Sequence, residues 1–186
     1  MHIHGHGTGC TRQDGFTVLE LMITLSIASI LLLTGIPTFQ QFTLKQDMSA
    51  AIASLHNDLL MGRSEAVFRN ERIVACPGSP AEGCSGASHW GAGWIVFGDS
   101  NGDRQRQDSE TVIRHGQGFE RLSIQGSAGR SDIRFFPDGS TPGSNGSITF
   151  CGPGGPEKAR KLIISNLGRI RRDTAPDLDP AFCPPA

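Results

Sequence analysis

The segment EKARKLIISNLGRIRRD carries six cations, Lys158, Arg160, Lys161, Arg169, Arg171 and Arg172, with Glu157 and Asp173 at its ends. Guanidinium groups bind phosphate through paired N–H donors, so this density of arginine is chemistry for holding a phosphate-bearing ligand. Read as two strands, the segment puts Leu162 and Ile164 on one side and turns at Asn166-Leu167-Gly168. Strand alternation then gives Arg169 and Arg171 a shared, solvent-facing surface. The plainer reading is a solvated hairpin at a sheet edge, where charge discourages pairing between molecules.

A second candidate is Glu20, the only ionisable side chain between Phe16 and Gln41. A carboxylate inside an apolar helix is expensive in a bilayer and marks a function with a charged partner. Elsewhere, Asp99, Asn101, Asp103, Gln105, Gln107 and Glu110 fall at the ligand positions of a calcium loop. Arg104, however, stands where such loops want glycine, so a polar hairpin connection is the expectation there. His2, His4 and His6 precede the apolar run, while His56, His89 and His115 are dispersed without zinc spacing. Trp90 and Trp94, flanking Gly91 and Gly93, read as core and turn residues. No G-x-S-x-G, H-E-x-x-H or phosphate-loop motif occurs, so neither an enzyme nor a cofactor or metal site is expected.

The elements that must position these residues fit one modest domain with an appendage, in a chain of 186 residues. The formal net charge is −1, so any affinity for nucleic acid must come from a local patch. Residues 18–36 supply about the 20 apolar residues a membrane-crossing helix needs. Met48, Ile52, Leu55, Leu59 and Ala66 follow at three- and four-residue spacing, the stripe of an amphipathic helix that packs on a sheet. Short strands are expected over 72–76, 93–97, 111–114, 121–125, 132–136, 147–151, 159–165 and 169–172, separated by Gly-, Asn- and Pro-rich turns. Without residues 1–15, four cysteines remain, which allow three disulfide pairings in an oxidising compartment. The nearest-neighbour pairing, Cys76–Cys84 with Cys151–Cys183, is favoured because it closes a short loop and pins the tail; unpaired buried thiols are the alternative.

The order Gly15-Phe16-Thr17-Val18-Leu19-Glu20 before an uninterrupted apolar run resembles the type IV prepilin signature. The resemblance implies that a prepilin peptidase cuts after Gly15 and that Phe16 becomes a methylated N-terminus. It also implies that Glu20 pairs with a neighbouring subunit's terminal ammonium during assembly. Gly35 and Pro37 match the place where helices of that family loosen. The pattern RIVACPGS…CSGASHWGAGWIVFGDSNGD, with FCGPGG…ARKLIISNLGRIRR, resembles the GspH/FimT group of minor pilins over essentially the whole chain. This implies an α+β, type IV pilin fold. Residues 1–15 would be a leader, 16–42 the transmembrane and filament-core half of a long helix, 43–70 its amphipathic half, and 71–186 a globular domain of small antiparallel sheets. Gly168-Arg169-Ile170-Arg171 is similar to the G-R-x-R through which FimT-type pilins hold DNA in natural transformation. Arg172, Lys158, Arg160 and Lys161 would support that sequence-independent contact. The implied partners are DNA, other pilin subunits, the peptidase and the inner membrane, with the globular part in the periplasm before assembly into a surface pilus. The structural alternative is a minor pseudopilin that primes a type II secretion pseudopilus and has no DNA role.

Overall fold

The computed structural model describes residues 15–119, 121–127, 129–152, 155, 158–174 and 183. The chain forms two compact units, divided in sequence between Gln41 and Phe42. The first contains the start of helix α1, Val18–Arg69, which continues without interruption through Gly35 and Pro37. Thr17 caps it, its Oγ1 accepting from Glu20 N at 3.3 Å. This is half of the Thr-x-x-Glu pattern that favours helix starts. Thr24, Ser26 and Ser29 donate back to the carbonyls of Leu21, Met22 and Leu25, so these hydroxyls are satisfied without water. The large apolar side chains from Phe16 to Leu33 are all exposed. Among the described residues no helix is long and apolar enough to cross a membrane. The span expected over 18–36 runs into residues 34–38, whose side chains lie outside those described.

In the second unit, α1 carries the expected stripe: Ala51, Ile52, Leu55, Leu59 and Ala66 are buried, and Met48 packs partly against them. Gly62 lies on the same stretch, where an added Cβ would stand 3.0 Å from Val96 Cγ1. Asn70, at φ 52°, closes the helix as Glu71 N reaches back to Ala66 O, the left-handed C-terminal cap that asparagine tolerates.

Among the described residues nine strands follow: β1 Ile73–Ser79, β2 Gly83–Cys84, β3 Gly93–Gly98, β4 Val112–Gln117, β5 Ser123–Gly126, β6 Ile133–Phe135, β7 Gly146–Cys151, β8 Arg160–Ile164 and β9 Ile170–Thr174. They make two antiparallel sheets, one ordered β2-β1-β3-β4 with β6 also on β1, the other β5-β7-β8-β9. The expected strand over 121–125 begins later because Leu122 N donates to Phe119 O in a turn and Arg121 pairs with Asp47 on α1. Strand β2, which the sequence did not announce, is a two-residue pairing beside the Cys76–Cys84 disulfide.

One apolar cluster joins the α1 stripe to the inward faces of both sheets, including Trp90, Trp94, Phe135, Phe150 and Leu162. The two tryptophans are therefore core residues, 1% and 0% exposed. Trp94 Nε1 donates to Asp58 Oδ2 at 2.8 Å, a polar pin from sheet to helix. All members of this cluster lie within residues 42–186, so that unit has a complete core of its own. The disulfides are Cys76–Cys84 and Cys151–Cys183, the favoured pairing, with Cα atoms 5.6 and 5.4 Å apart.

Candidate functional site

Strands β8 and β9 pair from Arg160↔Thr174 to Ile164↔Ile170. Beyond that last pair, Ser165 N donates to Arg169 O and Gly168 N to Ser165 O, leaving Asn166-Leu167-Gly168 as a three-residue loop. Such loops place a glycine in the left-handed region, and Gly168 has φ +73°. A second constraint acts on the same glycine, because a Cβ there would sit 1.9 Å from Gly139 O. The loop is docked through its backbone. Arg63 on α1 donates from Nε to Gly139 O at 2.9 Å and from Nη2 to Leu167 O at 3.3 Å. Thr141 donates from N to Asn166 O at 2.8 Å and from Oγ1 to Ser165 O at 2.6 Å.

This rigid tip sets the faces of the hairpin. Leu162, Ile164 and Ile170 turn into the core. By alternation and register, Lys161, Ile163, Arg171 and Asp173 occupy the outer face, and Arg169 continues that row. Arg171, 55% exposed at its side chain, pairs with Asp173 at 3.5 Å. Asp173 is also the cross-strand partner of Lys161. Among the described residues, none bonds to the Arg169 guanidinium or the Lys161 ammonium. Arg169 and Arg171 thus share an exposed face as expected.

The six cations do not form one patch. Arg160 and Arg172 alternate to the other face of the hairpin. Arg160 Nη1 bonds the carbonyls of Lys158 and Ala159, and Arg172 Nη2 lies 3.4 Å from His56 Nδ1 on α1. Lys158 precedes the strand, in a turn made by its own N and Gly155 O. Burial, and then the Arg172 charge, hold the His56 imidazole below its ordinary pKa, which suits a neutral ring accepting from the guanidinium.

The other candidates separate clearly. In the 99–110 loop the carboxylates are used by the loop's own backbone: Asp99 Oδ1 accepts from Gly102 N and Arg104 N, and Glu110 accepts from Ser100 N and Gln107 N. Arg72 stands 3.8 Å from Asp99 Oδ2, a fixed cation beside the position a metal would need. His89 bonds Gln125, and His115 lies in β4, away from His56 in the chain and without a shared cluster among the described residues. Gly15 has open space around it, Phe16 is 83% exposed, and Glu20 is exposed with no ion pair among the described residues. Residues 1–14, including His2, His4 and His6, lie outside the described residues.

Sequence reasoning missed Arg63, Gly139 and Thr141, the residues that hold the hairpin tip. An arginine on an amphipathic helix carries no local mark of such a role, and Gly139 reads as an ordinary turn glycine.

Comparison with known proteins adds family and fold. Residues 51–168 match the family described as type II transport protein GspH, and residues 10–36 match the prokaryotic N-terminal methylation motif. Over 167 residues the chain is 29% identical to pilin-like protein PilA1 of Thermus thermophilus, covering 87% of this chain and 98% of that protein. It is also similar to the type IV minor pilin FimU of Pseudomonas aeruginosa strain PAO1. One crystal form of FimU gives a TM-score of 0.54 at 23% identity, over 67% of this chain and 91% of FimU. A second form gives 0.54 at 22%, over 71% and 92%. That likeness shows the fold, a long helix packed on antiparallel sheets.

Proposed function

The chain belongs to the GspH family, and from that premise we propose that its C-terminal hairpin holds DNA for uptake, in the manner of FimT-type minor pilins. It is a minor pilin or pseudopilin, with a methylation motif at its N-terminus. The observation that supports a DNA role is the outer hairpin face, where Arg169, Arg171 and Lys161 stand together on a rigid support. Three such cations reach phosphates more readily than base edges, so binding is sequence-independent. In this reading prepilin peptidase cuts after Gly15, and the apolar helix anchors the subunit in the inner membrane. Within the filament, Glu20 pairs with a neighbour's Phe16 ammonium, two buried charges that offset one another.

The test is a salt titration of duplex binding by residues 42–186. Three neutralised phosphates give a log–log slope of about −2.7, roughly 40-fold weaker binding between about 50 and 200 mM salt. Arg169→Gln or Arg171→Gln lowers the slope by about one unit and weakens all sequences alike. Asp173→Asn, which frees Arg171 from its ion pair, tightens binding. Unchanged binding in the double arginine variant would move the site elsewhere. Intact mass of membrane-extracted protein tests the processing, which must leave a methylated chain starting at Phe16.

A second reading is a pseudopilin that primes type II secretion without touching DNA. It is favoured by the family's own description and by the Arg171–Asp173 pair, which neutralises part of the patch. A parent domain that fails to bind DNA at low salt selects it.

A further inference from the structure

The outer face that carries Arg169 and Arg171 does not end at the hairpin. In register, Ile163 lies between Arg171 on β9 and Ser147 on β7, and Lys161 lies between Asp173 and Thr149. Adjacent strands are about 4.8 Å apart, so Arg171 and Ser147 stand about 10 Å from one another across the sheet. Over β7 and β8 this face carries a shallow, largely open depression of about 330 Å³, whose lining includes Ser127, Asn145, Ser147, Lys161 and Ile163. Ile163, half-buried, gives the lining an aliphatic side chain, and its neighbours there offer hydroxyl and amide groups with one ammonium. No described residue accepts from Ser147 Oγ or the Asn145 amide.

We propose that this depression is a second phosphate–sugar subsite, and that a DNA strand crosses the sheet from β9 to β7 instead of following the hairpin. The inference rests on the DNA reading above and deepens it. The chemistry fits one nucleotide of backbone. Lys161 supplies a point charge for a phosphate, while Ser147 and Asn145 donate neutral hydrogen bonds. Ile163 meets the apolar face of the sugar. The depression lies on the side of the hairpin facing away from the core, and Arg160 and Arg172, on the other face, take no part.

The neutral groups make the idea separable from simple charge attraction. Lys161→Gln should lower the salt slope by about one unit. Asn145→Ala with Ser147→Ala should weaken duplex binding by about tenfold at every salt concentration, with the slope unchanged, because no counterion is released at an uncharged donor. Ser147→Phe, which fills the depression, should lose at least as much affinity while keeping the parent's denaturation midpoint. The subsite is wrong if Asn145→Ala with Ser147→Ala, and Ser147→Phe, both bind with the parent's affinity and slope while Arg169→Gln and Arg171→Gln weaken binding; Lys161 then acts with the hairpin cations alone, and the hairpin reading stands by itself. Failure of the parent to bind at low salt removes both.

Discussion

Gly168→Ala tests the local architecture most sharply, because a single methyl group meets two independent obstacles. The first is conformational: φ +73° is left-handed, which a side chain adopts at about 1–2 kcal/mol. The second is steric, since the new Cβ would lie 1.9 Å from Gly139 O and 2.9 Å from Arg63 Nε. Backbone cannot yield that far in place, so the tip must lift, and with it goes the Arg63 bond to Gly139 O. A hydrogen bond to a charged group contributes about 1.5–3 kcal/mol. The expected loss is therefore about 3–5 kcal/mol, or a fall of about 2 M in the urea midpoint of residues 42–186. Arg63→Ala should destabilise less, and the two changes together should fall short of additivity by about 1 kcal/mol or more, since each removes the same contact. Equilibrium urea unfolding followed by tryptophan fluorescence measures all three, reporting through buried Trp90 and Trp94. A Gly168→Ala protein within about 1 kcal/mol of the parent, or strict additivity with Arg63→Ala, refutes the docked-tip account.

Asp58→Ala leaves the buried Trp94 Nε1–H without its acceptor and should lose about 1–3 kcal/mol, whereas Asp58→Asn keeps a carbonyl oxygen in reach and should lose less; thermal unfolding of the pair distinguishes acceptor loss from packing. His56 titrates below its ordinary value of 6.5 in the folded chain, so between the two pKa values the unfolded chain binds more protons and stability falls as pH drops. His56→Gln should flatten the stability profile below about pH 6.5, with no effect above it. Cys183→Ser opens a loop with a separation of 32 residues and should lower stability by about 3–4 kcal/mol under oxidising conditions. Its denaturation curve should show that loss without reductant, and retention of the parent's midpoint would mean the bridge contributes nothing.

What the sequence revealed depended on whether a signal was local. The α1 stripe was legible because Met48, Ile52, Leu55, Leu59 and Ala66 repeat at helical spacing and bury as that spacing demands. The shared face of Arg169 and Arg171 was equally legible, since alternation in one strand decides it. The fate of the other four cations was not. Arg160 and Arg172 lie on the opposite face through their register, and only the pairing with β8 shows that Asp173 stands against Lys161. Arg63 reaches across 76 positions to Gly139 and 104 to Leu167, a separation that no local pattern encodes. In the 99–110 loop, spacing that suits a cation proved to suit backbone N–H groups, which satisfy the same oxygens.

Two of the polar pins on α1 have a mechanical meaning. Asp58 ties the helix to the first sheet through Trp94, and Arg63 ties it to the hairpin tip through Gly139 and Leu167. In a fibre subunit, tension enters through the helix, and a ligand held on β9 would pull from the other end. The load then passes in series through the core and these contacts. At the tip Arg63 offers two bonds to the helix, Arg172 on β9 adds its contact with His56, and Thr141 adds two bonds to the loop. The hairpin tip would peel from the helix before either sheet opens, so grip under load would be limited by these few polar contacts more than by the stability of the whole domain.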